Sequence, residues 1–372
     1  MIYFDNAATS FPKPDSVIKE VEKCLRKYCG NPGRGSHSLA MKSATEIYRT
    51  REIIADFIGI KNPERIIFCH NSTTALNIAI KGLYTPNCHV ITSDIEHNSV
   101  LRPIYDCIDN YGGEISFFNS GVSPEISIPP LINSNTRLLV STLSSNVNGK
   151  IIDYKKLSEI AEKYNLMLII DATQYIGHRN LDLSGSYYSI LCSAGHKSLF
   201  GIQGSAFMAM SDDVRIKPLL HGGSGIDSFS KTMPELTPER FEAGTLSTPA
   251  IISLAKGIEF INEVGIDAIQ EKITSLDKRL TDVLLSIPDV KLHGVENGTG
   301  AFNFGDFTSA QISSFLDKYG IATRSGYHCA PIAHQRLGTT KTGAVRVSFS
   351  YFNRDKEIDT LYKALKSIKK ER

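Results

Sequence analysis

An unbroken apolar segment that ends in a carboxylate limits the folds open to this chain more than any other feature. Residues 166–170 read LMLII, and Asp171 follows directly. Strands that are apolar on both faces are typical of parallel sheets covered by helices, and ligands of open α/β sheets bind beyond the carboxyl ends of such strands. The segment therefore predicts a buried parallel strand with Asp171 at a binding cleft. The alternative is an aspartate that caps a helix or a turn.

Helical and strand patterns alternate around this segment. Apolar periodicity predicts helices at residues 16–28 and 43–57 and strands at residues 65–69, 89–92, 138–142, 189–192 and 206–210. Beyond these it predicts helices at residues 251–264 and 268–287, strands near residues 290–292, 301–304 and 345–349, and a terminal helix that begins near residue 355 and ends in the basic residues 366–372.

The order of these elements predicts an α/β protein with two domains. Alternating helices and strands over residues 15–248 are typical of a large α/β domain with a mostly parallel sheet, and residues 1–14 and 249–372 form a smaller α+β domain. Residues 222–248, rich in Gly, Ser, Thr and Pro, exceed the length of ordinary connections and indicate a functional loop.

Charge and cysteine content narrow the class of protein. The net charge of +2, from 41 basic and 39 acidic residues, does not indicate a nucleic-acid partner. The chain begins without a basic leader and has no window with the ~20 apolar residues that a membrane span needs. Its seven cysteines are scattered, which suits a reducing compartment better than a disulfide framework. We expect a cytoplasmic enzyme without membrane contact.

Lys197 lies among glycines just downstream of a predicted strand, in the segment GHKSLFGIQG at residues 195–204. A lysine held at a cleft can form a Schiff base with a carbonyl cofactor, and glycines let the backbone approach that cofactor closely. Pyridoxal phosphate chemistry needs such a lysine together with an acidic partner for the pyridine nitrogen. Lys197 and Asp171 therefore predict this cofactor, whereas Lys197 alone could be an exposed lysine in a turn.

A cluster of hydroxyl side chains precedes another helical pattern. Residues 70–74 read HNSTT and lead into an apolar helix. Hydroxyls and free backbone N–H groups at a helix N-terminus form a natural phosphate site, although an ordinary Ser or Thr cap explains the same residues.

Short motifs occur in a fixed order along nearly the whole chain. They are YFDNAAT at 3–9, NPGRGSH at 31–37, EHN at 96–98, SNVNG at 145–149, DATQ at 171–174, GHK at 195–197, RFEAGT at 240–245, RSGYHCA at 324–330 and RVS at 346–348. With this set the chain resembles the class V, fold-type I pyridoxal phosphate enzymes of the cysteine desulfurase and selenocysteine lyase family. The resemblance implies an aspartate aminotransferase-like fold. Its large domain would hold a mostly parallel sheet of seven strands, and its small domain would carry the Cys329 loop.

The resemblance also assigns residues to pyridoxal 5′-phosphate. It implies that Lys197 attaches the cofactor, that Asp171 pairs with the ring nitrogen, and that His97 stacks on the ring and helps to move protons. It further implies that Gln174 bonds the ring oxygen. The phosphate would be held by Thr73, Thr74 and His196, and by Thr245 of a neighbouring subunit, which makes a homodimer the expected unit. A histidine such as His97 at a strand end can also be structural.

Substrate contacts are implied at four further positions. Arg346 is expected to pair with the substrate carboxylate through its planar fork, and Asn146, His37 and Arg324 are candidate groups around the substrate. From the residues alone, a surface ion pair is the simpler interpretation of an arginine such as Arg324 or Arg346.

Cys329 decides the reaction class. It lies in a polar, glycine-containing loop near Arg324 and His328, and nearby cations favour the reactive thiolate. The resemblance implies a cysteine desulfurase that converts L-cysteine to L-alanine and leaves a persulfide on Cys329. Only residues 330–345 separate Cys329 from Arg346, as in the compact-loop group of the family. We therefore expect a sulfur-acceptor protein, with iron–sulfur cluster assembly as one destination of the sulfur.

Other functions stay open. The chain could be a selenocysteine lyase, or a class V transaminase or lyase in which Cys329 takes no part. His328, Cys329 and His334 could bind zinc but lack a fourth ligand in spacing, so no metal site is predicted. A catalytically silent scaffold would not need Asp171, Lys197 and Cys329 together.

The chain departs from the family at the predicted phosphate site. Ala194 stands where desulfurases commonly place a phosphate-binding serine, so that contact is missing or supplied by another group, with Ser193 as a candidate. Tyr327 and Asn98 also replace frequent histidines, which leaves the substrate less defined than the cofactor.

Overall fold

A seven-stranded sheet forms the centre of the larger part of the molecule. The computed structural model describes residues 1–33 and 35–368, and the strands of this sheet are β2 (Ile66–Cys69), β3 (His89–Ser93), β4 (Glu114–Phe118), β5 (Thr136–Thr142), β6 (Met167–Asp171), β7 (Ile190–Ala194) and β8 (Ala206–Met210). Their order is β2-β8-β7-β6-β5-β3-β4, and β8 is antiparallel to both of its neighbours, whereas β4, β3, β5, β6 and β7 are parallel. The predicted α/β class is confirmed.

The apolar segment at residues 166–170 forms the central strand β6. Leu168 and Ile170 pack into the hydrophobic cluster on one face of the sheet, and Ile169 packs into the cluster on the other face. Asp171 ends the strand, paired with Thr142 of β5 and Cys192 of β7. Burial on both faces thus follows from the apolar run, as expected for a parallel strand.

Helices cover both faces of this sheet. In chain order they are α1 (Asp15–Lys27), α2 (Ser38–Phe57), α3 (Ser72–Leu83), α4 (Asn98–Tyr111), α5 (Pro124–Ser127) and α6 (Tyr154–Lys163). Helix α3 packs on β7 and β8 beside α4, within the same cluster as Ile169. The N-termini of α3 and α4 therefore lie near the carboxyl ends of the parallel strands.

The remaining elements form the C-terminal part. They are α7 (Thr248–Val264), α8 (Ile266–Leu285), β9 (Val290–Glu296), β10 (Thr299–Phe304), α9 (Ser309–Lys318), β11 (Ile321–Ala322), α10 (Pro331–Leu337), β12 (Val345–Ser348) and α11 (Asp355–Ser367). Strands β12, β10 and β9 form an antiparallel sheet in that order, and β1 (Ile2–Tyr3) pairs in parallel with β11. Residues 369–372 of the predicted basic end lie outside the described residues.

One hydrophobic cluster continues from the large sheet into the C-terminal part. Leu139 of β5, Phe302 of β10 and Leu361 of α11 belong to it. The proposed domain boundaries after residues 14 and 248 stay a prediction. Within the described residues, no helix is both long and apolar enough to cross a membrane.

Candidate active site

A cavity of about 230 Å³ lies at the carboxyl ends of β5, β6 and β7. Parallel strands bring their ends to one edge of the sheet, which is where α/β proteins bind ligands. From the large sheet and its helices the cavity is lined by Asn71, Ser72, Thr73, His97, Ser99, Thr142, Ser144, Asn146, Asp171, Thr173, Gln174, Ala194, His196 and Lys197. From the N-terminal segment and the C-terminal part it is lined by Ala7, Ala8, Arg324, His328, Cys329 and Arg346.

Asp171 presents a buried carboxylate to this cavity. Its Oδ1 accepts a hydrogen bond of 3.0 Å from the backbone N–H of Thr173. Burial raises the pKa of Asp171, while Thr173 and the positive charge of Lys197 act in the opposite direction. A buried carboxylate that still accepts a hydrogen bond can stabilise a cation placed against it.

Lys197 follows β7 and lines the same cavity. Burial lowers the pKa of Lys197 from 10.5 to about 8; Asp171 opposes this shift and Arg346 adds to it. A substantial fraction of the amine is therefore neutral near pH 8. Neutral amines are nucleophiles and bases, so this environment suits covalent and proton-transfer chemistry.

His97 caps the N-terminus of α4. Its Nδ1 accepts a hydrogen bond of 3.0 Å from the backbone N–H of Ser99, which places the ring proton on Nε2. Burial, together with the charge of Lys197, lowers the pKa of His97 to about 4. The ring at the cavity is therefore neutral.

The N-terminus of α3 supplies polar groups to the cavity. Asn71 caps the helix by accepting from Thr74 N at 2.9 Å, and Ser72 and Thr73 line the cavity. The Thr73 hydroxyl lies 2.7 Å from that of Ser99. Thr74 is not among the described lining residues; its hydroxyl donates to Asn71 instead.

Gln174 and His196 connect the cavity to the N-terminal segment. Gln174 Nε2 donates to the carbonyl of Ala7 at 2.9 Å, which directs its amide plane. His196 Nδ1 lies 3.1 Å from the Thr9 hydroxyl, and burial lowers the pKa of His196 to about 4. Residues 7–9 thus form one wall of the site.

The structure separates Ala194, where the phosphate-binding serine is missing, from Ser193, the candidate to replace it. Ala194 lines the cavity, but Ser193 is not among the lining residues that the structure describes. The Ser193 side chain is fully buried and its hydroxyl bonds only weakly, at 3.4 Å, to the carbonyl of Ala194. Successive side chains of a strand point to opposite faces, so Ser193 of β7 does not replace the missing serine.

The two arginines differ in their environments. Arg346 is buried, donates from Nη1 to the carbonyl of Asn146 at 2.9 Å, and donates from Nη2 to Asp5 Oδ1 at 2.6 Å. Its buried Nε finds no partner within the described part of the chain. Arg324 is exposed, and its Nη1 lies 3.9 Å from Asp5 Oδ2. Both arginines line the cavity, and Asp5 holds the Arg346 fork in place.

Cys329 is exposed and lies in a strained turn. His328 and Cys329 have φ angles of 50° and 55°, in the left-handed region that non-glycine residues rarely adopt. Asn146 Nδ2 donates to the carbonyl of His328 at 2.6 Å, and the Asn98 N–H donates to the carbonyl of Cys329 at 2.7 Å. Asn146, beyond the end of β5, and Asn98, at the start of α4, thus hold two successive peptide units of the loop.

Two predicted residues lie apart from this cavity. The His37 ring caps α2, where Nδ1 accepts from Ala40 N at 3.3 Å. Thr245 is exposed and borders a second cavity of about 670 Å³ that Asn31 and Gly33 also line. Thr245 and Thr74 both line a small cavity of about 40 Å³. Arg34, in the same motif as His37, lies outside the described residues.

Sequence reasoning did not single out several polar residues of the cavity. Thr142 ends β5 just as Asp171 ends β6, and Ser144 follows two residues later, so the rule that led to Asp171 would also have found them. Glu96 directly precedes His97, and its Oε1 accepts a hydrogen bond of 2.8 Å from the backbone N–H of Thr142. Burial raises the pKa of Glu96 to about 8.

A family model described as aminotransferase class-V matches residues 2–361. The chain belongs to the class-V aminotransferase family. Among curated relatives, a probable cysteine desulfurase of Methanothermobacter thermautotrophicus is 31% identical over 99% of this chain and 94% of that protein. A probable cysteine desulfurase of Pyrococcus abyssi is 30% identical over 100% of this chain and 94% of that protein.

Solved structures resemble this class-V aminotransferase over its whole length. The apo structure of a cysteine desulfurase from Thermococcus onnurineus has a TM-score of 0.90 and 28% identity, covering 100% of this chain and 95% of that one. The Escherichia coli cysteine desulfurase CsdA has a TM-score of 0.89 over 99% of this chain and 94% of that one; at 23% identity it shows the fold alone.

Enzymes of the class-V aminotransferase family depend on pyridoxal 5′-phosphate, and this chain uses the same cofactor. The side chains around the cavity fit it. Lys197 offers an amine of lowered pKa, and Asp171 offers a buried carboxylate for a protonated ring nitrogen. The N-terminus of α3, with Ser72 and Thr73 at the cavity, suits a phosphate group.

Proposed function

We propose that this chain is a cysteine desulfurase that converts L-cysteine to L-alanine and transfers the sulfur to Cys329. The observation that carries the proposal is that the Cys329 loop and Lys197 line one cavity. The relatives named above, which are called cysteine desulfurases and match nearly the full chain, support it.

Pyridoxal phosphate supplies an electron sink for the carbanion that forms when the substrate loses its Cα proton. We propose that Lys197 attaches it and that Asp171 keeps its ring nitrogen protonated. The neutral ring of His97 would stack on it, and Gln174 would bond its ring oxygen. Thr73 and His196 would hold the phosphate, with Ser72 as a further group at the same helix end; Thr74, also predicted for this role, lies outside the described lining of the cavity and would not reach the phosphate from there.

The positive charge at one side of the cavity suits the substrate carboxylate. Arg346 would bind it, because Asp5 and the Asn146 carbonyl fix the plane of the guanidinium in advance. Arg324 and the Asn146 side chain lie beside the same space and would complete the contact. His37, which is distant from this cavity, would contribute only across a subunit interface.

Lys197 would also act as the base. With its Nζ free, this side chain would take the Cα proton of the substrate, since a pKa of about 8 lets the amine accept and return a proton near neutral pH. The thiolate of Cys329 then attacks the substrate sulfur. The C–S bond of cysteine would break as an S–S bond forms on Cys329, and the carbon skeleton would take up one proton at Cβ and regain one at Cα to become alanine.

A homodimer would complete the site. Thr245 lies outside the cavity, as expected of a residue that reaches the phosphate of a second subunit. The loop at residues 222–248 is anchored by a buried ion pair between Glu242 and Arg51, and it exposes Phe229 and Leu236. These exposed apolar side chains, on a loop that lines the 670 Å³ cavity, support a surface that a second copy covers.

The sulfur would leave through an acceptor protein. The segment after Cys329 is short and begins with α10, so Cys329 cannot travel far from its cavity. Tyr327 and Cys329 are both exposed, which leaves the thiol open to a docked partner. We infer sulfur transfer in a reducing, cytoplasmic setting, iron–sulfur cluster assembly included, and seven free cysteines suit such a setting.

Two exposed cysteines allow a matched test. Cys29 and Cys329 are the exposed members of the seven, and Cys29 is absent from the described lining of the cavity. With L-cysteine and a reductant, the Cys329→Ala holoenzyme should lose alanine production by about two orders of magnitude, whereas Cys29→Ala should match wild type. Undiminished alanine formation by Cys329→Ala would instead favour a lyase in which this thiol takes no part.

A further inference from the structure

A chain of three buried side chains lies behind the Cys329 loop. The His328 ring, at the cavity, has Nδ1 3.2 Å from His334 Nε2. His334, on α10, has Nδ1 2.7 Å from the hydroxyl of Thr339. At the other end, His328 Nε2 lies 3.4 Å from the carbonyl of Arg324. All three residues are at most 6% exposed, so water does not compete for these contacts.

The hydrogen bonds that link these three side chains have one consistent direction. A carbonyl only accepts, so His328 Nε2 must donate to Arg324, which leaves His328 Nδ1 as an acceptor. His334 Nε2 then donates to His328, and His334 Nδ1 accepts from the Thr339 hydroxyl at 2.7 Å, because the other acceptor within reach of that hydroxyl, the His334 carbonyl, is farther away at 3.4 Å. Both imidazoles are neutral in this arrangement. Burial accordingly lowers the pKa of His328 to about 3 and that of His334 to about 4.

This series of hydrogen-bonded side chains ends at His328, whose backbone conformation needs support. His328 and Cys329 are successive residues with left-handed backbone. Such a conformation in non-glycine residues persists only where the surroundings hold it. Asn146 and Asn98 hold the two carbonyls from one side. The His328 ring is the group that the turn sends into the C-terminal part, and His334 and Arg324 hold that ring from the other side.

We propose that His334 and Thr339 are positioning residues for sulfur transfer: by fixing the His328 ring they fix the turn that directs the Cys329 thiol toward the substrate sulfur. The inference rests on the proposed desulfurase function. Neither residue touches the cavity; both act through His328. Their role belongs to the step that uses the thiol and not to the step that removes the Cα proton.

A metal site explains the same residues less well. The described part of the chain holds no group of three or more histidine, cysteine or acidic side chains placed to bind a metal ion. His328 Nδ1 and His334 Nε2 face each other, and the second nitrogen of each ring has its own partner. The nitrogens that a metal would need are thus already used.

Thr339 permits an isosteric test in the holoenzyme. Thr339→Val keeps the shape but removes the hydroxyl, so His334 Nδ1 loses its donor; Thr339→Ser retains the donor. Alanine production from L-cysteine by Thr339→Val should fall about fivefold in kcat with KM unchanged, the kinetic equivalent of one lost hydrogen bond. Thr339→Ser should recover most of the loss.

Two readouts separate positioning from a general structural effect. Exchange of the Cα proton of L-alanine in D₂O uses the cofactor and Lys197 but no thiol, so it should be equal in all variants. The rate of Cys329 alkylation by iodoacetamide should change in Thr339→Val and be restored in Thr339→Ser. Equal kcat in the valine, serine and wild-type proteins would overturn the inference, as would a parallel loss of alanine exchange.

His334 supplies an independent pair of variants. His334→Gln can still donate toward His328 Nδ1, whereas His334→Leu cannot, so the glutamine enzyme should produce alanine faster than the leucine enzyme while both exchange L-alanine normally. If both variants match wild type, the inference is wrong although the desulfurase proposal stands. If the wild-type enzyme itself makes no alanine from cysteine, the proposed function fails first.

Discussion

The backbone N–H of Asn98 donates a hydrogen bond of 2.7 Å to the carbonyl of Cys329. Asn98 is the first residue of α4 and follows His97, whose ring lines the cavity. One peptide group thus joins the turn that carries the ring-stacking candidate to the turn that carries the thiol candidate. The free N–H groups at a helix N-terminus are natural donors for such a contact.

Replacing Asn98 with proline should remove this contact and little else. Proline is tolerated as the first residue of a helix, and the φ and ψ angles of His97, −76° and 154°, suit a residue that precedes proline. The loop that holds Cys329 would lose one of the two contacts that Asn98 and Asn146 make with its carbonyls. We expect kcat for alanine formation from L-cysteine to fall about fivefold.

Asn98→Ala is the matched control, because it removes the side chain and keeps the N–H. It should produce alanine at the wild-type rate. Equal activity of the proline and alanine variants would show that the hydrogen bond does not support Cys329.

The part of the site that sequence could predict is the part built from local pattern. The apolar run before Asp171 specified a buried strand, and parallel strands place their ends at one edge. Asp171 and Lys197 line one cavity for that reason. Strand β4 escaped prediction because it is an edge strand, and only Phe118 of its residues is fully buried. Half-exposed strands carry a weak apolar signal.

Contacts between distant segments had no such signal. Asn146 and His328 are 182 residues apart, and Arg346 is 341 residues from Asp5, so their meeting depends on the packing of the two parts. Ser193 illustrates a different limit. The predicted strand at residues 189–192 stopped two residues before β7 ends at Ala194, so the alternation of the pleat was not applied to Ser193.

The lowered pKa of Lys197 predicts how pH controls the attachment of pyridoxal phosphate to the apo-protein. Only the neutral amine attacks an aldehyde, so the rate of attachment should rise with pH and reach half of its maximum near pH 8 rather than near 10.5. Asp171→Asn should lower this midpoint, because the negative charge of Asp171 raises the pKa of Lys197. Absorbance changes after mixing measure the rate, and Lys197→Ala reports attachment at other lysines. A midpoint near pH 10 would show that burial does not lower the pKa of Lys197.

The raised pKa of Asp277 predicts how the stability of the folded protein depends on pH. Both of its carboxylate oxygens accept from Gly298 N in the β9–β10 turn, and burial raises the pKa of Asp277 from 3.8 to about 7. Between these values the unfolded chain is ionised while the folded protein holds the proton. Stability therefore falls as the pH rises from about 4 to about 7.

Asp277→Asn should remove this dependence, since an amide keeps an acceptor but does not titrate. Between pH 5 and pH 8 the variant should gain about 2 kcal/mol of unfolding free energy relative to wild type, measured by urea unfolding. Asp282→Asn, at an exposed position on the same helix, should change nothing. A constant difference between Asp277→Asn and wild type across this range would show that Asp277 does not titrate there.

The buried ion pair between Arg51 and Glu242 should contribute far more to stability than an exposed pair between neighbouring helices. The two side chains are each 6% exposed, Arg51 Nη1 donates to Glu242 Oε1 at 2.8 Å, and Phe68 N donates to the same oxygen at 2.7 Å. Glu242→Ala would leave a buried arginine unpaired, which costs about 3–5 kcal/mol. Arg49→Ala, which breaks the exposed pair with Glu259 and leaves Glu259 paired with Lys256, should cost about 0–1 kcal/mol. Thermal unfolding of the two variants measures the contrast, and similar melting temperatures would show that Glu242 does not anchor the loop that carries Thr245.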